Sequence, residues 1–250
     1  MREGTYRIAG HAVRIFSLHE DVHILCDGYK TESEPEIWIR IEENDITKER
    51  KRAQRTDEKE GRLPGEYPDG YLETLAVYRK LTEQLLHYGI LLMHGSVVAV
   101  DGEGYLFTAK SGTGKSTHTA LWMKQFGERA MMINDDKPLL EITKDGLWVY
   151  GTPWDGKHHR STNTKVPLKA ICAVNRSEQN EIRKAEPREL YPLLLQQIHR
   201  QETVLGLQQT LELLECLWKQ AGLYQLYCNM EPEAALVAYE GMREKEGEKI

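Results

Sequence analysis

The stretch YLFTAKSGTGKSTHTALW, residues 105–122, decides how the rest of the chain is read. An apolar run, Tyr105 to Thr108, leads directly into small residues that end in Gly114-Lys115-Ser116. Small residues let successive backbone N–H groups turn inward around an anion, and Gly112 and Gly114 tolerate dihedrals that a Cβ forbids. Ala109 stands where the usual phosphate-loop pattern has its first Gly, a change that still keeps the strand end compact. A helix opening near Lys115 brings its positive end to the same place. The pattern predicts a nucleotide site in which Lys110, Ser111, Gly112, Thr113, Gly114, Lys115, Ser116 and Thr117 surround the phosphates. Lys115 would neutralise the β- and γ-phosphates, and the Ser116 hydroxyl would ligate Mg²⁺.

The flanks restrict that reading. Upstream, ILLMHGSVVAVDGEGYLFTA holds two apolar strands around Asp101-Gly102-Glu103-Gly104, a strong hairpin signal. His94 then lies at the far end of its strand from the turn, level with the end of YLFTA and beside the loop. Downstream, the helix stops at Gly127, and the strand AMMIN ends in Asn134-Asp135-Asp136. Acids at a strand end beside a phosphate loop suit a metal ligand and a general base. Two desolvated carboxylates would repel, and a shared Mg²⁺ or a cation such as Lys137 would relieve that. A second hairpin, PLLEI-TKDG-LWVYG, follows, and VPLKAICAV reads as one more buried strand. In a doubly wound sheet the loop strand has parallel neighbours reached through crossover helices. Here it reads as the second arm of a hairpin, so the expected fold is α+β or α/β, a mixed and largely antiparallel β-sheet with a phosphate loop and flanking helices.

Residues 1–66 read as an N-terminal β-rich region, residues 67–185 as the core, and residues 186–250 as a C-terminal helical region. The runs TYRIAG, AVRIFSL, VHILC and EIWIRI read as short strands. Residues 42–66 mix charges with almost nothing apolar and read as a solvated loop. A helix is expected from Asp69, with Tyr71, Leu75, Tyr78, Thr82 and Leu85 on one stripe. In the tail, Val204, Leu207, Leu211, Leu214 and Trp218 form a helical seam too short for three heptads, which favours core packing over a dimer coil.

Composition excludes several classes. The formal charge of −6 argues against a general nucleic-acid binder. No apolar run approaches the length of a membrane span, and the first residues lack the apolar core of a signal peptide. Cys26, Cys172, Cys216 and Cys228 are widely spaced without a C-x-x-C pair, which suits a reducing cytoplasm.

His94 to Ser116 and Ile133 to Ile142 (INDDKPLLEI) together resemble the catalytic domain of HPr kinase/phosphorylase and, more remotely, the ATP-dependent phosphoenolpyruvate carboxykinases. The shared order is His-Gly, strand, turn, strand, phosphate loop, helix, then Asp-Asp, and it spans roughly Leu91 to Val174. The resemblance implies ATP- and Mg²⁺-dependent phosphoryl transfer to a serine hydroxyl of a small protein or peptide. It implies that Lys115 and the loop amides bind phosphate and that Asp135 takes the hydroxyl proton. Asp136 and His94 would support or tune that carboxylate, and Ser116, Asp135 and Asp136 would hold the metal. Relatives by resemblance are often oligomeric.

The chain also departs from the family. Its later Glu-Arg signature is not present in TKVPLKAICAV, where the charged residues are Lys165 and Lys169. The segment GTPWDGKHHRSTN instead offers Lys157, His158, His159 and Arg160 as a clamp for phosphate or an acidic substrate, or as a solvated loop anchored by Trp154. Adjacent histidines point different ways and do not suggest a metal site. Two other functions stay open: a kinase or carboxykinase-like enzyme acting on a small metabolite, and an ATP-binding sensor or scaffold without transfer.

Overall fold

The computed structural model describes residues 1–156, 159–199, 201 and 203–243. The chain divides into two compact units, Met1–His87 and Tyr88–Ile250.

In the first unit, β1 (Arg2–Ile8) and β2 (His11–Ser17) form an antiparallel hairpin. Ala9 and Gly10 turn it with φ of 49° and 84°, the left-handed pair that a tight hairpin of native twist requires. β3 (Ile37–Arg40) adds in parallel to β2. VHILC, expected as a strand, is instead part of a short helix, α1 (Asp21–Leu25), with only Val22 buried. Residues 42–66, expected as a loop, contain the 17-residue helix α2 (Glu43–Lys59). Its capping box pairs Glu42 with Asp45, and its inward face carries acids where an apolar stripe would normally lie. Buried Glu49 takes Arg79 at 2.6 and 3.0 Å and Arg52 at 2.5 Å, while Asp45 takes Lys80 at 2.6 Å. Arg79 and Lys80 belong to α3 (Asp69–Leu85), so ion pairs dock α2 where apolar periodicity gives no signal. α3 begins where expected, and Tyr78, Thr82 and Leu85 of the expected stripe are buried, but Tyr71 is exposed and the buried face widens to Leu72, Ala76, Val77 and Leu81. Buried Glu73 on the same helix caps the Leu18 and His19 amides at 2.6 and 2.7 Å.

The second unit is a mixed α+β fold around a nine-stranded sheet. Its strands are β4 (Ile90–Leu92), β5 (Ser96–Val100), β6 (Glu103–Thr108), β7 (Ala130–Asn134), β8 (Leu139–Thr143), β9 (Gly146–Tyr150), β10 (Lys165–Arg176), β11 (Glu181–Lys184) and β12 (Gly222–Cys228). The order β4-β8-β9-β10-β6-β5-β7 carries β12 on β10 and β11 on β12. Both expected hairpins, β5-β6 and β8-β9, form. The loop strand β6 therefore has β5 antiparallel on one side, but β10 lies parallel on the other. β12 is parallel to β10 in turn, so the C-terminal region is not wholly helical. Leu223, Tyr224 and Leu226 bury that strand in the sheet, and the neighbouring helical seam gives no hint of it.

Among the described residues four α-helices complete the unit: α4 (Lys115–Phe126), α5 (Pro187–Gln197), α6 (Val204–Gln220) and α7 (Glu233–Met242). Along α6 the buried residues are Gly206, Thr210, Leu214 and Leu217, so only Leu214 of the expected seam is buried. Val204, Leu205, Leu207 and Leu211 are exposed. The N-terminal half of the helix rests on Gly206 and on the Thr210 hydroxyl bonded back to the Gly206 carbonyl at 2.7 Å, which a search for large apolar residues misses. α4 packs on the sheet through Trp122, which is fully buried among Tyr105, Phe107, Phe126 and Tyr239. Among the described residues no helix is long and apolar enough to cross a membrane. The four cysteines are free thiols, three of them buried.

Candidate functional site

Residues 109–114 join β6 to α4, as the small-residue pattern requires. Gly112 and Gly114 sit at φ of 76° and 122°, and among the described residues no atom lies within 4 Å of a Cβ built on either. The need for glycine is conformational, and the space above both residues is open. α4 starts at Lys115 with Gly114 as its N-cap, no side chain capping it and no acid in its first turn. Its first N–H groups thus face the loop without an internal partner, which is the electrostatic description of an anion cradle.

Lys115 reaches back to the Ala109 carbonyl at 3.4 Å. Burial pushes its pKa down, while the negative charges of Asp136 and Asp135 pull it up. Ser111 and Lys110 are exposed, and Ser116 lies in the first turn of α4. The hydrogen-bond pairing Ser96 to Phe107 carries His94 to the loop end of β6, where Thr108 Oγ1 donates to its carbonyl at 3.2 Å.

The two acids have different surroundings. Asp136 Oδ1 meets His94 Nδ1 at 2.9 Å, and its Oδ2 is paired with Lys137 Nζ. Burial alone would raise the Asp136 pKa, but the His94 hydrogen bond and the Lys137 charge outweigh it and lower it to about 2. Asp135 instead accepts a hydrogen bond from Ser96 Oγ at 2.5 Å. Ser96 Oγ also meets Thr119 Oγ1 at 2.8 Å, and Thr119 bonds the Lys115 and Ser116 carbonyls. Asp135 is in this way coupled to the first turn of α4, beside the loop.

Fully buried Asn134 builds the acidic turn. Its Oδ1 accepts the Asp136 and Lys137 amides at 2.9 and 2.6 Å, and its Nδ2 donates to Thr152 Oγ1 at 3.0 Å. Thr152 closes the link by donating to the Lys137 carbonyl at 2.9 Å. Gly156, at φ 77°, lies so close that an added Cβ would meet Asp136 Cβ at 3.3 Å. The segment after β9 therefore packs on the acids. Trp154 and Asp155 are buried in it, and Asp155 holds His159 Nδ1 at 3.0 Å and the Ser161 amide at 2.9 Å. Arg160 is exposed, while Lys157 and His158 lie outside the described residues.

Sequence reasoning missed the supporting residues: Ser96, Thr119, the hub role of Asn134, Asp155 and Arg176. Arg176 ends β10 and donates to the Thr113 and Gly112 carbonyls at 3.0 and 2.5 Å, bracing the loop from the parallel strand. A strand read as running in the same direction beside β6 would have pointed to it, because its last residue must then lie at the loop.

Among the described residues no group of three or more His, Cys, Asp or Glu is placed to hold a metal. Mg²⁺ needs no such cage, since it is commonly held by one or two carboxylates together with substrate phosphates and water.

The depressed pKa of Asp136 gives a test of its ion pairs. A carboxyl lowered from 3.8 to about 2 adds stability that is complete above pH 4 and lost as the pH falls towards 2. Asp136→Asn should cost about 1–2 kcal/mol in urea melts at pH 6, with the gap to wild type closing between pH 4 and 2. A gap that stays constant over that range would mean the pairs contribute nothing.

No family model matches the chain, and no curated protein matches it. Among solved structures the chain is similar to the HPr(Ser) kinase/phosphatase from Coxiella burnetii. That is a distant structural relation. Identity is 12% and the TM-score 0.30, over 60% of this chain and 86% of the other. A likeness at that score carries no argument about function, which rests here on the residues themselves.

Proposed function

We propose that this chain is an ATP- and Mg²⁺-dependent kinase that transfers the γ-phosphoryl group to a serine hydroxyl of a small protein or peptide. The observation that carries this reading is the division between the two acids: Asp136 is held on one oxygen by His94 and on the other by Lys137, while among the described residues Asp135 takes a hydrogen bond from the Ser96 hydroxyl on one oxygen beside the loop. Both oxygens of Asp136 are engaged and its pKa is held at about 2, which makes it a poor proton acceptor near neutrality, so the role of base falls to Asp135.

The loop amides, the uncapped start of α4 and Lys115 would bind the phosphate chain, with Arg176 keeping the loop in shape. Bound Mg²⁺, held by Ser116 with the acidic pair, would supply neutralising charge to the phosphate oxygens. Asp135 takes the proton of the acceptor hydroxyl as its oxygen forms a bond to the γ-phosphorus and the bond to the bridging oxygen breaks. Lys115 and the loop amides receive the charge that collects on the departing diphosphate. Positioning and charge neutralisation are the main demands of such a transfer, and this site supplies both. Ser96 and Thr119 serve positioning, since they fix Asp135 against the first turn of α4.

The test is mass spectrometry of candidate serine-bearing peptides and small proteins incubated with the chain, ATP and Mg²⁺. A serine carrying one added phosphoryl group, absent when ATP is omitted, is the expected product. Tight ATP binding without product on any acceptor would instead describe a nucleotide sensor.

A further inference from the structure

We propose that the cavity at the first turn of α4, on the β10 side of the loop, is the nucleoside subsite for the donor nucleotide. This inference rests on the phosphate-loop reading above and extends it from the phosphates to the base. Asp135 and His94 lie on the β5 and β7 side of β6, so the transferring phosphate belongs there. The rest of the donor must then leave on the other side, where β10 runs parallel to β6 and ends at Arg176 beside the loop.

Two cavities open on that side and share Thr113, Val174, Asn175 and Arg176. The one of about 630 Å³ lies along the opening of the loop, Ala109 to Gly112, and is lined on its far side by Glu189. That carboxylate, paired with Arg183, is poorly suited to a polyphosphate ligand. The other, of about 400 Å³, begins at Gly114 and Thr117, where a chain of phosphates crossing the first turn of α4 would deliver its sugar. Its volume lies within the usual range for small-ligand pockets, which are mostly apolar with few polar groups. Leu121 and Met230 give it apolar walls, and Met230 is 76% exposed at the tip of the turn after β12. A thioether facing solvent at the mouth of a cavity is a good partner for the face of an aromatic base.

Hydrogen bonds through Asn229 pin the turn that presents Met230. The Asn229 backbone amide donates to Asn180 Oδ1 at 3.0 Å, its Nδ2 donates to the Glu178 carbonyl at 3.0 Å, and its Oδ1 accepts the Glu231 amide at 3.0 Å. With the Asn229 side chain engaged at both ends, the grip on the base is chiefly apolar contact.

The experiment compares binding of ATP and of inorganic tripolyphosphate by calorimetry on the full chain and on Met230→Ser, with photolabelling by 8-azido-ATP. Wild type should bind ATP more tightly than tripolyphosphate. Met230→Ser should weaken ATP about five- to tenfold while leaving tripolyphosphate unchanged. The photolabel should fall on residues 117–121 or 229–230. Label on residues 189–193, or an ATP affinity untouched by Met230→Ser, would overturn the assignment. If ATP and tripolyphosphate bind wild type equally well, the phosphate loop stands and the nucleoside subsite falls. If neither binds, the phosphate reading falls and takes the subsite with it.

Discussion

Replacing Asp135 by Asn is expected to reduce phosphoryl transfer by about 10²–10⁴-fold, the usual contribution of a positioned general base. Asn keeps the size of Asp and can still accept the Ser96 hydrogen bond, so the turn built by Asn134 should persist. ATP binding should change by no more than about threefold, because the loss is one of transition-state stabilisation. Lys115→Ala provides the contrast. It removes a charge from the phosphate cradle, and losing charged hydrogen bonds worth about 1.5–3 kcal/mol should weaken ATP roughly 10–100-fold. Single-turnover transfer and equilibrium ATP binding, measured on both variants, separate the two roles. Full transfer by Asp135→Asn would remove the base from the mechanism, and a loss of ATP binding equal to that of Lys115→Ala would make Asp135 a binding residue.

Trp122→Ala should be the most destabilising single change in the second unit, at about 3–5 kcal/mol. The side chain is fully buried, with ring centroids of Tyr105, Phe107, Phe126 and Tyr239 between 5.0 and 5.7 Å away. Its Nε1 donates to His118 Nε2 at 3.0 Å, and burial holds the His118 pKa down at about 4, so the ring is a neutral acceptor at physiological pH. The cavity and the orphaned acceptor act together, and the melting temperature should fall by roughly 10 °C. Trp122→Phe fills much of the space and loses the N–H, so a loss nearer 1–2 kcal/mol is expected. A cost below about 1 kcal/mol for the Ala variant would show that α4 is held elsewhere. The prediction bears on function because Trp122 lies two turns along α4 from Lys115, and the helix that it seats is the one that starts the phosphate cradle.

The parts of this protein that were legible from sequence are those that depend on neighbouring residues. Gly112 and Gly114 require their φ values locally, the two hairpins depend on their turn residues, and His94 follows from the pairing of one hairpin. The α2 helix was not legible, because its docking on α3 is ionic and a run of mixed charges has the composition of a loop. β12 was hidden for a related reason. Its partner β10 lies far away in sequence, and parallel pairing across intervening helices leaves no turn to mark it.

At the site itself the sequence determined the residue types: a small-residue loop, a lysine, a hydroxyl and two adjacent acids. The different roles that the resemblance implies for those acids have no physical basis in the sequence, where they are neighbours of identical chemistry. Only the tertiary structure separated them, by bringing His94 and Lys137 onto Asp136 and Ser96 onto Asp135. A carboxylate's acidity is set by the charges and donors within a few ångströms, and here most of those arrive from other strands.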